Sequence, residues 1–343
     1  MRTGHPLRSL KLAVLTVMMV LSRRSHAQSA AAQPFDLDAD TRVLAPLVHQ
    51  QLAILPIVRR AGATVESGKY VTLAEGLKSG KVLVAERGAG GEVNKVTVTN
   101  HAPQPLFLLG GQVILGGQQD RILGKDTVLA PGEVAVVDVF CVEHGRWSGK
   151  REFTSAQGVA SSKIRLRAKY AGNQSEVWNE VAAKQSALGG QNATGTYRTL
   201  ATGDAGRKAA EPYRTSILGG LARLPEAGAL VGFVAAINGR VTSIEVFDSP
   251  ALFAAHRDAL LDGVFLSAAD QPLRVKPAEL SPSAMGVKDF IERANKAPAQ
   301  QAFTSKGAST THKSAAGVLN SEVKASGAAP AARPVYKSYQ AAE

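Results

Sequence analysis

Between Gly110 and Trp147 the chain concentrates side chains that could do chemistry. One segment reads Gly110-Gly111-Gln112-Val113-Ile114-Leu115-Gly116-Gly117-Gln118-Gln119-Asp120-Arg121, and a second reads Phe140-Cys141-Val142-Glu143-His144-Gly145-Arg146-Trp147. Two glycine pairs beside polar residues imply close backbone approaches or positive φ angles. Gly116 and Gly117, with Gln119, Asp120 and Arg121, read as a tight turn that delivers amide, carboxylate and guanidinium groups to one end of a sheet. There Arg121 could fork onto a carboxylate or phosphate through two parallel hydrogen bonds. The same residues also suit a plain hairpin in which Asp120 and Arg121 are neighbouring solvated charges.

The second segment offers an acid, a thiol and a base within a few residues. If Val137, Val139, Cys141 and Glu143 share a strand face, the two-residue period lines the thiol up behind the carboxylate. A carboxylate at the edge of an apolar face has its pKa pushed up toward neutrality and suits a general acid or base, with Arg146 opposing the shift. Asp120 or Glu143 is therefore the candidate to move a proton or to hold a divalent cation through oxygen. The alternative is that Glu143 and Arg146 pair and order the turn. Cys141 is either a buried small hydrophobe or a reactive thiol, and the apolar residues on both faces of Val134 to Val142 favour burial. Trp147 and Trp178, the two tryptophans of the chain, each neighbour charged or amide side chains, which suits either the wall of a pocket, with Gln174 beside Trp178, or core filling. The seven histidines are scattered without ligand spacing, so no metal ligand is assigned among them, and His256 reads as a residue at the border of the core.

The two segments together resemble the ARG and Rhodanese-Phosphatase-superfamily-associated protein domain, a bacterial family. The resemblance extends from about Leu44 to about Leu261 and includes Gln174-Ser175-Glu176-Val177-Trp178, Val231-Gly232-Phe233 and Val246-Phe247-Asp248. It implies a fold and a candidate site, and its association with ADP-ribosylglycohydrolase-type and phosphatase-type proteins implies a nucleotide-like or phosphorylated ligand. His144 falls where the family pattern varies, which argues against an essential imidazole.

The ends of the chain bear on location and partners. Arg2, Arg8 and Lys11 precede an apolar run from Leu12 to Leu21, and Ser25-His26-Ala27 places small residues where a signal peptidase reads, so residues 1–27 are expected to be a cleaved secretory signal. The run is short for a transmembrane helix. The expectation is export to the periplasm or the extracellular space. Removing residues 1–27 takes away five basic and no acidic residues, lowering the net charge from +12 to +7, and residues 296–343 carry six basic against two acidic residues. Basicity is thus concentrated at the ends. With aromatic residues at 5% there is no dense basic face with stacking platforms, so nucleic acid is excluded as partner, and the basic tail suits loose contact with an anionic envelope surface. A single cysteine excludes an intrachain disulfide, so stability must come from an apolar core.

The elements that must position these residues are strands first and helices later. Seven β-rich runs between Leu44 and Glu143, separated by Gly88-Ala89-Gly90-Gly91, Asn100 to Pro105 and Pro131-Gly132, predict an antiparallel sandwich or barrel-like half with one short helix near Leu73 to Leu77. After Trp147 the period changes to that of a helix, most clearly from Ser175 to Leu188 behind the capping box Asn173-Gln174-Ser175-Glu176. Asn238-Gly239 predicts a β-hairpin, Ser249-Pro250 the start of a helix, and Ser281 to Ala294 a last helix. The expected class is α+β. Residues 28–43 are expected to be a flexible N-terminal segment and residues 44–295 one domain, β-rich over 44–147, helical over 148–188, a mobile or lid-like loop over 189–208 and an αβ unit over 209–295. Residues 296–343 read as a low-complexity flexible tail, with edge strands at Gly317 to Val323 and Val335 to Tyr339 as the rival reading.

No P-loop, serine elbow, HExxH or EF-hand motif occurs. Two functions fit. One is an enzyme or small-molecule binder for an anionic ligand, with Arg121 and Arg146 holding the anion, Gly116, Gly117, Gln119, Trp147 and Trp178 lining the pocket, and Asp120, Glu143 or Cys141 doing chemistry. The other is a non-catalytic envelope scaffold or interaction module. What separates them is whether Arg121, Glu143 and Arg146 converge on a concavity or satisfy one another. No cofactor is specified.

Overall fold

A computed structural model describes residues 1, 33–63, 68–88, 92–329 and 332–342. The cleavage site expected after Ala27 lies outside the described residues. The fold is α+β.

The N-terminal half is a six-stranded antiparallel sheet in the order Phe153–Val159, Gln112–Gly116, Arg121–Leu123, Val134–Cys141, Lys95–Asn100 and Val82–Glu86. Its ends approach one another: Ala85 bridges Glu152, and the amide of Glu86 donates to the carbonyl of Arg151 at 2.9 Å, so the sheet curls into a half-barrel. Alternation drives it. Along Lys95–Asn100 every second residue is buried, and Val84, Val96, Val98, Ile114, Leu123, Val137 and Val139 fill the inside. The predicted short helix is Leu73–Lys78, opened by a capping box between Thr72 and Glu75.

The rest of the chain builds a ten-stranded sheet. Its path runs Phe35–Asp36, Thr41–Val43, Leu52–Arg59, Leu230–Ile237, Arg240–Phe247, Tyr336–Ala341, Val318–Ala325, Ala308–Ala315 and Ala299–Thr304, with Leu47–His49 paired beside Leu52–Arg59. The hairpin turns on Asn238 (φ 50°) and Gly239 (φ 76°), the positive pair that a tight two-residue turn requires. Helix Pro250–Ala269, capped by the Ser249 hydroxyl, buries Phe253, Leu260, Leu261, Val264 and Phe265 against one face. Helix Ala284–Lys296 buries Val287, Phe290 and Ala294 against the other.

Three expectations are corrected here. The tail beyond Lys296 is four strands, two of them where the rival reading put them, and these two, Val318–Ala325 and Tyr336–Ala341, lie inside the sheet instead of at its edge. Small and polar residues hide the alternation because one face of these strands packs on polar groups. The segment 28–43 contributes Phe35–Asp36 and Thr41–Val43 to the same sheet, which also breaks the boundary drawn at residue 44. The stretch 189–208 includes helix Arg198–Ala201 and the start of helix Asp204–Tyr213, and it is bonded to the half-barrel.

A buried ionic seam ties the two halves together. His312, Ser321, Ser338 and Glu245 are successive cross-strand partners and so share one face of the large sheet. Against that face the Lys169 ammonium meets Asp126 at 2.7 Å and Ser338 at 3.0 Å, Arg165 meets Glu245 at 2.5 Å and Tyr336 at 2.6 Å, and Ser321 donates to Asp126. The first glycine pair serves this seam. The Gly110 amide donates to Asp126 at 2.7 Å and its carbonyl accepts from Arg165 at 2.9 Å, while a Cβ on Gly111 (φ 92°) would stand 2.3 Å from the Arg165 side chain.

Candidate functional site

The two motifs meet as neighbouring strands. Arg121 pairs with Cys141 in register, and beyond the last strand residue the Val142 amide donates to the Asp120 carbonyl at 3.0 Å. The turn before Arg121 needs its glycines. Gly116 has φ 123°, and a Cβ there would stand 2.9 Å from the Glu152 carbonyl oxygen; Gly117 has φ 57°, and a Cβ there would stand 2.5 Å from the Phe153 ring.

Consecutive side chains on an extended backbone point opposite ways, and Asp120 and Arg121 do so here. Arg121 turns inward. Its guanidinium is fully buried, bonded to Glu86 at 3.1 Å and to the carbonyl and side chain of Gln119 at 3.3 and 3.2 Å. The Trp147 ring, half exposed, covers it at 5.7 Å from ring centroid to guanidinium. Cys141 shares this interior. Burial, opposed by Arg121 and aided by Glu86, pushes its thiol up to about 11, which favours the protonated form at neutral pH.

Asp120 turns outward to a second cluster. Its carboxylate, 0% exposed, accepts from the Gly116 amide at 3.0 Å, from Thr196 at 2.9 Å, from Arg146 at 3.4 Å and from Arg198 through two bonds of 2.8 and 3.1 Å. Glu143 accepts from the Asp120 amide at 3.2 Å, from Thr194 at 2.9 Å and from Arg146 at 2.6 and 2.8 Å. Arg146 also donates to the carbonyls of Gly117 and Ser148 at 3.0 and 2.6 Å. Burial raises the Glu143 carboxyl, but the bonds from Arg146, the Asp120 amide and Thr194 outweigh it and hold the group below the usual carboxylate range. The expected upward shift of the carboxyl is thereby corrected, with Arg146 opposing burial as expected.

Glu143, Arg146 and Asp120 therefore converge, while Arg121 stands apart and shares no hydrogen-bond partner with Arg146. Gln119 bridges the two environments, its side-chain amide donating to the His144 carbonyl at 3.5 Å. Trp178 packs edge-on against the His144 ring, centroids 4.5 Å apart, and its indole N–H makes no hydrogen bond to this cluster among the described residues. The Gln174 carboxamide pairs with both the amide and the carbonyl of Cys141 at 2.7 and 2.8 Å, extending the strand ladder by a side chain.

The family model for the ARG and Rhodanese-Phosphatase-superfamily-associated Protein domain matches residues 40–339. The chain belongs to this family. The match takes in both motifs, both halves of the fold and the C-terminal strands, well past the Leu261 limit expected from the motifs. No curated protein and no solved structure matches the chain.

In this member of the family, sequence reasoning overlooked Glu86, Thr194, Thr196 and Arg198, and the seam residues Asp126, Arg165, Lys169 and Glu245. A lone arginine or threonine in a polar loop carries no periodic signal. Lys169 had no sign of its own, being one of four basic residues, with Lys163, Arg165 and Arg167, in the helical stretch 162–171.

Proposed function

We propose that the chain is an exported, non-catalytic binding module of the cell envelope, in which the Gly116–Trp147 motifs form a clasp that holds the segment 190–203 onto the half-barrel. One observation carries this reading: all four carboxylate oxygens of Asp120 and Glu143 accept hydrogen bonds, and the two negative charges are balanced by Arg146 and Arg198. A general base needs a lone pair free to receive a proton, and an anion site needs positive charge in excess. The clasp has no positive charge in excess, and of its carboxylate oxygens Glu143 Oε1 accepts a single hydrogen bond, from Thr194. Export rests on the charged start, the short apolar run and Ser25-His26-Ala27, and the basic excess of residues 296–343 supports loose attraction to an anionic envelope surface.

The test is Asp120→Asn and Arg198→Ala in the full chain, followed by hydrogen exchange and chemical unfolding. Faster exchange over residues 190–203 with a lower unfolding midpoint is expected. Unchanged exchange would overturn the clasp.

A second reading has an observation in its favour. The side chains of Arg146 and Arg198 are 25% and 49% exposed, so a phosphate could draw Arg198 off Asp120. This is the route by which an anionic, nucleotide- or ADP-ribose-like ligand would bind, and titration with inorganic phosphate and ADP-ribose tests it: saturable binding lost in Arg198→Ala would favour it over the clasp alone.

A further inference from the structure

A cleft of about 500 Å³ opens between strand Phe153–Val159, the helices Arg198–Ala201 and Asp204–Tyr213, and helix Pro250–Ala269. That volume lies in the ordinary range for small-molecule sites, roughly 300 to 1,000 Å³. Its floor is apolar, from Val159, Leu200, Ala210 and Leu266, and its polar end is formed by Glu211, Arg214 and Asp262.

The polar end is short of donors. One oxygen of Asp262 accepts from Arg214 at 2.6 Å, whereas the other, Oδ1, is buried and accepts no hydrogen bond among the described residues. Buried acceptors are ordinarily satisfied, so this oxygen of a cleft-lining carboxylate lacks the donor that such atoms usually have. Charge points the same way. Arg214 faces Glu211, Asp258 and Asp262, so the carboxylates around it outnumber it, while Arg207 on the rim is bonded to Asp204. An anion would meet uncompensated carboxylates; an ammonium brings both the missing charge and the missing hydrogen.

We propose that this cleft binds a small organic amine, its ammonium bonded to Asp262 and its hydrocarbon body lying on Val159, Leu200, Ala210 and Leu266. The proposal goes beyond the clasp but connects to it, because the segment pinned through Thr194, Thr196 and Arg198 continues into the wall formed by Leu200 and Ala210. Failure of the two is distinguishable: the clasp is read by exchange over residues 190–203, the cleft by affinity for an amine.

The experiment is calorimetric titration of the full chain with n-hexylammonium, n-hexanol and hexanoate. Saturable binding of n-hexylammonium is expected, with n-hexanol and hexanoate at least about tenfold weaker, the scale of one charge-assisted hydrogen bond. Asp262→Asn should weaken n-hexylammonium by about tenfold. Ala259→Leu, which narrows the cleft from the helix side without touching a charge, should abolish binding at an unchanged unfolding midpoint. Absence of amine binding, hexanoate binding as tightly as the amine, or full affinity in Ala259→Leu overturns the proposal.

Discussion

Arg198 grips Asp120 with two bonds of 2.8 and 3.1 Å across 78 positions of sequence. The pair fixes the point where the helical segment after Gly190 lands on the half-barrel, and Arg146 joins Asp120 to Glu143 on the other side. The motif residues thus act on one another. Arg198 is half exposed, so its loss should be modest: Arg198→Ala is expected to lower stability by about 1 kcal/mol, the scale of a surface-screened ion pair, read as a shift of the urea midpoint at constant slope. A loss several times larger would mean that Arg198 organises more than this contact.

Arg121 should behave differently. It and Glu86 are fully buried, and removing one partner strands the other charge. Arg121→Ala is expected to cost about 3 to 5 kcal/mol. The double replacement Arg121→Met with Glu86→Gln should recover much of that. A double variant as unstable as the single one would show that the buried charges do not depend on one another.

Stability should fall in mild acid through His312. This imidazole is buried on the seam beside Lys169, Asp126 and Lys125; burial first, then the two lysines, depress it from 6.5 to about 4, with Asp126 opposing. Because the unfolded chain takes up the proton near 6.5 and the folded one only near 4, the folded state loses stability as pH drops through that window, by about 3 kcal/mol in full. His256, also depressed by burial, adds to the same slope. His312→Gln should flatten the dependence of the unfolding free energy between pH 6.5 and 4, and an unaltered slope would rule His312 out as its source.

Cys141 should be inert in the native state. With its thiol buried and raised to about 11, labelling by a disulfide reagent at neutral pH is expected to track unfolding and to accelerate only in denaturant. Rapid labelling without denaturant would contradict its burial.

Truncation before residue 297 should abolish folding. Strand Tyr336–Ala341 bonds to Arg240–Phe247 on one side and Val318–Ala325 on the other, and its Tyr336 hydroxyl bonds to both Arg165 and Glu245. A truncated chain that still unfolds cooperatively would show that the C-terminal strands are dispensable.

What the sequence determined by itself was local. Alternating apolar residues in Lys95–Asn100, the helix start at Asn173, the Asn238-Gly239 turn and the Ser249-Pro250 helix start each depend on neighbours within a few positions, and the α+β class follows from their order. The meeting of the two motifs was legible for the same reason, since the strands that carry them pair directly, but the trio expected there was Arg121, Glu143 and Arg146, and Asp120 stands in the place expected of Arg121. Tertiary structure alone decided which way each side chain faced and what it met. Arg121 went inside because Glu86, 35 positions away, waits there to neutralise it, whereas Asp120, one residue earlier, met Arg198 from a short helix that the sequence pattern did not announce. The C-terminal strands were legible only as a rival reading, because a face that packs on Asp126, Arg165 and Lys169 selects serine, histidine and tyrosine instead of valine and leucine. Burial there is bought with ion pairs, and hydrophobic periodicity cannot announce it.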